Sequence, residues 1–184
     1  VGRRGTGKTT LTKQIIQQDL KESKLLIYDT LGEYELGFPE ADNPLTLIDL
    51  LECEEKKIRF NSDNALHFDA VCYALYFTGN ITFIVDEIDF YCSPVNIPDN
   101  LMKLIRYGRH NGISIIVVSR RPADIPRLLT SQANIIISFK HHEPRDIAYL
   151  SEFIPKEYID KLPSLQDGEF IGYDSDRGSI FTAI

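Results

Sequence analysis

The chain opens on Val1 and runs straight into Gly2-Arg3-Arg4-Gly5-Thr6-Gly7-Lys8-Thr9, a full match to G-x-x-x-x-G-K-[ST]. No other feature restricts the fold so strongly. Glycines let such a loop turn its amide N–H groups inward around a phosphate, and the helix that follows adds the positive end of its dipole. The loop residues Gly2, Arg3, Arg4, Gly5, Thr6, Gly7, Lys8, Thr9 and Thr10 are therefore the nucleotide-binding candidates. In this motif Lys8 reaches the β- and γ-phosphates and the Thr9 hydroxyl holds Mg²⁺, so ATP and Mg²⁺ are the expected cofactors. A phosphate loop ordinarily follows a hydrophobic strand. Residues 1–184 thus read as one domain whose strand before the loop is missing from this sequence.

The rest of the chain supplies the sheet such a loop needs. A helix is predicted over residues 8–20, with Leu11, Ile15 and Ile16 as its apolar stripe. Short apolar strands are predicted at 24–29, 81–85, 113–118 and 135–139, with an extended segment at 57–60. Helices are predicted at 45–52, 65–77, 98–108, 124–131 and 143–153, and a hairpin around residues 174–178. Strands this apolar, alternating with helices, indicate an α/β protein whose mostly parallel sheet is covered on both faces. Tyr73, Tyr76 and Phe77 are expected in the core. Cys53, Cys72 and Cys92 have no metal-like spacing and read as small buried hydrophobes. The histidines carry no assignment.

Composition matters at one point. The net charge of −7 excludes a protein broadly coated by nucleic acid, although a narrow channel contacting DNA through a few cations stays open. Lys103, Arg121 and Arg127 flank the motifs and are the candidates for that contact.

Three further groups carry chemistry. The strand at 81–85 ends on Asp86-Glu87: Asp86 suits the Mg²⁺ shell and Glu87 suits a general base for water. Asp89 reads equally as a surface charge. Ser119-Arg120-Arg121-Pro122 follows the next strand, where motor ATPases carry a polar sensor of the γ-phosphate; two solvated arginines are the plainer reading. Arg106 and Arg109 bracket Tyr107-Gly108, and three readings stay open: an arginine finger for a neighbour's nucleotide, a DNA contact, or a solvated face. The catalytic candidates are Lys8, Glu87, Arg106, Arg109 and Arg120; the metal candidates are Thr9 and Asp86.

These residues resemble a known group. Asp29-Thr30-Leu31-Gly32-Glu33-Tyr34 is similar to the D-x-x-G-E-Y signature of HerA-type ATPases. Gly108-Arg109-His110-Asn111-Gly112 before a hydrophobic strand, S-x-R-P at 119–122, and Ser131-Gln132-Ala133-Asn134 before another strand resemble the HerA/FtsK superfamily. The short, insertion-free chain and the Glu143-Pro144 helix start look most like the genome-packaging ATPases of tailless, internal-membrane double-stranded DNA viruses. The resemblance implies a RecA-like core in which the sensor strand separates the Asp86-Glu87 strand from the loop strand. It also implies a homo-oligomeric ring, usually a hexamer, that drives double-stranded DNA through its centre. A capsid or membrane vertex protein is the further partner, and the setting is host cytoplasm or virion. Cellular HerA-like or conjugative motors, zonula-occludens-toxin-like assembly ATPases and slow nucleotide switches are the alternatives. One departure stands out: the family's sensor is usually Gln, and this chain has Arg120.

Overall fold

The apolar runs become the middle of one parallel sheet. The computed structural model describes residues 1–183. Strands β1 (Leu25–Tyr28), β2 (Glu40–Ala41), β3 (Lys57–Phe60), β4 (Thr82–Val85) and β5 (Ser114–Val117) lie in the order β2-β3-β1-β4-β5, every pair parallel. All residues of β1 and β4 are buried, as a central strand with helices on both sides requires.

Alternate side chains divide the core in two. Tyr28, Phe60, Phe83 and Val85 face α2 (Pro44–Glu52), α3 (Ala65–Thr78) and α4 (Asp99–Tyr107), where Leu47, Phe68, Val71, Leu75, Leu101 and Leu104 meet them. Leu25, Ile27 and Ile84 face the other way and pack with Tyr34 and with Ile16 of α1 (Lys8–Gln18). The predicted mostly parallel sheet with helices on both faces is the observed architecture.

The register places the chemistry. Tyr28 pairs with Val85, and Val85 with Val117, so the first residues beyond each strand gather at one edge of the sheet. Asp29, Asp86 and Ser119 all leave at that edge. The loop arrives beside β5: Gly2 N–H donates to Ser119 O at 3.2 Å. The order β4, β5, loop is the one the resemblance implies.

The strand after α5 (Arg127–Ser131) corrects the reading. β6 (Ile135–Ser138) does not join the parallel sheet; it pairs antiparallel with β7 (Phe170–Asp174), which pairs with β8 (Ser179–Ala183). The backbone of Val1 lies between the two sheets, accepting from Phe139 N–H at 2.9 Å and donating to Ile137 O at 2.6 Å. The three-stranded sheet has its own core of Ile136, Leu150, Ile154, Ile159, Leu162 and Ile171, completed by α6 (Pro144–Leu150) and α7 (Lys156–Ile159). The hairpin β7–β8 was expected and is present.

Smaller corrections follow from packing. Tyr73 and Phe77 are exposed, because α3 buries Phe68, Val71, Cys72 and Leu75; Tyr76 is half-buried against the core, as expected. Cys72 and Cys92 are buried, but Cys53, at the C-cap of α2, is exposed. The helix expected at 124–131 is split. Pro126 cannot supply an N–H, so a 3₁₀ turn Pro122–Asp124 precedes α5. No helix among the described residues is long and apolar enough to cross a membrane.

Candidate nucleotide site

The loop is shaped by backbone that only glycine adopts freely. Gly5 has φ 82° and Gly7 φ 104°, and a Cβ on Gly7 would meet Gly168 Cα at 3.2 Å. That contact matters because the 166–169 turn covers the loop, with Gly168 N–H donating to Thr6 O at 3.0 Å. The first intrahelical bond of α1 is Leu11 N–H to Gly7 O at 2.9 Å. Among the described residues no protein acceptor takes the N–H groups of Gly5, Gly7, Lys8, Thr9 or Thr10. Unpaired donors converging at a helix start favour an anion. Lys8 is buried, its Nζ turned back onto Arg3 O at 2.9 Å, and burial lowers its affinity for its proton. A phosphate on the loop gives that ammonium a charged partner in place of a carbonyl.

The acids stand opposite. Asp86 is buried and its carboxyl is pushed up to about 7, first by burial and then by the neighbouring charge of Glu87. Its Oδ1 accepts the Glu87 N–H at 3.0 Å. Glu87 is raised too, by burial and by Asp89, and has φ 52°, unusual for a residue with a side chain. Asp86 is buried and forms no ion pair among the described residues, and a divalent cation supplies the counter-charge it lacks.

Sequence reasoning gave Glu33 no settled role. Asp29 is fully buried and accepts from Glu33 N–H and Tyr34 N–H, both at 2.9 Å, and from Arg59 Nε at 2.9 Å. Gly32 turns through φ 73° between them. The turn so fixed carries Glu33 to the loop, where its Oε2 accepts the Thr9 hydroxyl at 3.0 Å. It also sends Tyr34 under α1, beside Thr12 and Asp86. The D-x-x-G-E-Y pattern is thus a capped turn that aims one carboxylate at Thr9.

Arg120 reaches the acids while its side chain stays partly open to solvent. Its Nε lies 2.8 Å from Glu87 Oε2, aligned poorly enough to count as an ion pair without a directed hydrogen bond. Its Nη2 donates to Asp89 Oδ2 at 3.1 Å. Asp89 therefore belongs to the site. A cleft of about 270 Å³ adjoins, lined by Arg3, Arg120, Arg121, His141, Glu143 and Asp146 among others. His141 is buried there, and burial pushes its pKa down to about 3, so the ring is neutral.

Arg106 and Arg109 are elsewhere. Both are exposed, and neither forms an ion pair among the described residues. The 3₁₀ turn Gly108–Asn111 packs on the start of β4, where Asn80 N–H donates to Asn111 O at 2.8 Å. The acids leave the other end of β4, a strand length of roughly 13 Å away. An arginine side chain does not cross that span, so neither arginine serves its own chain's loop.

The same fold exists in solved proteins. The genome packaging NTPase B204 from Sulfolobus turreted icosahedral virus 2, in complex with ATP-gammaS, superposes with a TM-score of 0.85 at 21% identity, covering 100% of this chain and 94% of that one. The DNA-packaging ATPase B204 from Sulfolobus turreted icosahedral virus gives 0.82 at 22%, with the same coverage. This chain has the P-loop NTPase fold of B204. The N-terminal domain of zonular occludens toxin from Neisseria meningitidis is a more distant match, TM-score 0.55 at 14% identity over 100% and 90% of the two chains. No family model matches the sequence, and no curated protein matches it significantly.

Proposed function

We propose that this chain is an ATP-hydrolysing motor that moves double-stranded DNA into a viral particle. The observation that carries the reading is the meeting of an unpaired phosphate cradle with the buried pair Asp86-Glu87, on a fold shared end to end with a genome packaging NTPase. The unpaired amides of Gly5, Gly7, Lys8, Thr9 and Thr10 and the Lys8 ammonium hold the phosphates. Thr9 and Asp86 hold Mg²⁺, which when bound neutralises phosphate charge. Glu87 takes the proton of the attacking water. Asp29 orients the turn bearing Glu33, and Glu33 keeps the Thr9 hydroxyl in place.

Catalysis is completed between subunits of a ring, a hexamer on this reading. Arg106 and Arg109 lie too far from their own loop to touch its nucleotide; exposed and without an ion pair among the described residues, they are free for a neighbour's site or the DNA, and a plainly solvated face is the third reading. Of the three channel cations read from sequence, Arg127 is held by Glu152 at 2.6 Å and stacks on Phe153, and Arg121 sits among Asp124, Glu143 and Asp146. Lys103 is exposed on α4 and forms no ion pair among the described residues, and it becomes the first candidate for the DNA contact.

The test is steady-state ATP hydrolysis by the assembled protein with and without duplex DNA. Stimulation by duplex that fades steeply with salt is expected; absence of any duplex affinity at low salt removes the DNA motor and leaves the ATPase. The likeness to the zonular occludens toxin domain supports a second reading, an assembly ATPase that acts without DNA. That reading predicts hydrolysis indifferent to duplex.

A further inference from the structure

Glu87 and Arg120 are held in an arrangement unsuited to hydrolysis. A carboxylate paired with a guanidinium is a poor base, since the charge that would draw a proton from water is already neutralised. The pairing is built from one turn. Glu87 begins the 3₁₀ turn Ile88–Phe90 in the left-handed conformation, and Ile88 N–H is pinned to Val118 O at 2.9 Å. From that turn Asp89 accepts the second arm of Arg120 at 3.1 Å, and the Phe90 ring lies 5.1 Å beneath the guanidinium. Glu87, Asp89 and Phe90 of one turn thus grip an arginine that arrives from the end of β5. The strained backbone of Glu87 is the kind of conformation that persists where its surroundings hold it.

The grip is also open to competition. Arg120 is 40% exposed and shares the cleft with Arg3 of the phosphate loop. A guanidinium binds phosphate oxygens at least as well as carboxylates.

We propose that Arg120 is a latch on Glu87. Without nucleotide it ties Glu87 and Asp89 together; a terminal phosphate on the loop draws the guanidinium away and frees Glu87 to face water. Asp89 sets how firmly the latch holds. The arrangement ties hydrolysis to the presence of a third phosphate, and it gives a physical reason for arginine at this position. It rests on the ATPase reading above.

The experiment is calorimetric binding of ADP and of ATP-gammaS, with Mg²⁺, to the wild type and to Asp89→Asn, Arg120→Gln and Arg120→Lys. Removing the Asp89 charge weakens the competing partner, so Asp89→Asn should raise the preference for ATP-gammaS over ADP by about tenfold. Arg120→Gln should lose most of the wild-type preference, and Arg120→Lys, which cannot span both carboxylates, should fall between. The melting temperature of the nucleotide-free protein should drop for Arg120→Gln, which leaves buried Glu87 and half-buried Asp89 without their cationic partner. An unchanged ATP-gammaS to ADP ratio in both Asp89→Asn and Arg120→Gln overturns the latch while leaving the ATPase reading intact. Failure of the wild type to bind either nucleotide overturns both.

Discussion

Lys8 and Asp86 show how burial turns ordinary side chains into a site. Lys8 is held against a backbone carbonyl, and its charge finds a full partner only when phosphate is present. Lys8→Ala should therefore lower ATP turnover by about 10²-fold or more, since the charge developing in the transition state goes unneutralised; a phosphate-release assay measures this. Asp86 makes a pH prediction. Its folded pKa, about 7, lies above its ordinary 3.8, so the folded protein keeps a proton that the unfolded chain gives up. The resulting stability is present below the ordinary value and is lost as pH rises through about 7. The melting temperature of the metal-free wild type should fall over that window, and Asp86→Asn should flatten the fall. With Mg²⁺ the slope should weaken, because the cation favours the ionised form. At this scale the sequence was legible where a motif names the role of each side chain, as for Lys8, Thr9 and Asp86-Glu87. The Arg120–Asp89 bond was not legible, because it joins residues that are 31 positions apart through geometry alone.

The capped turn after β1 is the element on which the site depends most. Asp29 is buried and serves two amides and Arg59 at once, so Asp29→Ala leaves the guanidinium and both N–H groups without their acceptor. A loss of about 3 kcal/mol in urea unfolding is expected. Asp29→Asn should cost less and still loosen Glu33 from Thr9. The parallel strands were legible because continuous apolar runs of this length suit a doubly covered sheet. β6 has the same character, Ile-Ile-Ile-Ser, yet lies antiparallel to β7, since its partners are 33 to 39 positions later and composition does not name partners. The aromatic end of α3 misled for a related reason: a helix apolar on every side does not reveal which side meets the sheet.

For the whole molecule, a net charge of −7 predicts weak DNA binding by a single subunit, and in the proposed ring assembly multiplies the few cations each subunit offers. Charge reversal at Lys103 should lower the salt-sensitive duplex affinity of the assembly and leave hydrolysis without DNA unchanged, as read by fluorescence anisotropy beside an ATPase assay. Arg106 and Arg109 make a separate prediction. On the reading in which one of them is an arginine finger for a neighbouring subunit, its loss should reduce turnover by about 10³-fold while nucleotide affinity persists. Mixing that variant with Lys8→Ala should restore part of the activity, because mixed rings contain interfaces with an intact loop and an intact arginine. The remoteness of these arginines from their own loop was not legible in the sequence, which brackets them between Glu87 and Arg120 along the chain.

The central claim is that Glu87 activates water for a phosphate held on the Gly2–Thr9 loop. Single-turnover ATP hydrolysis by Glu87→Gln, measured beside its ATP affinity, tests it most directly. The substitution keeps the shape of the side chain and removes the base, so affinity should stay near the wild-type value while the rate falls by about 10²-fold or more. Hydrolysis at the wild-type rate in that variant would contradict the claim and move the base to another carboxylate of the site.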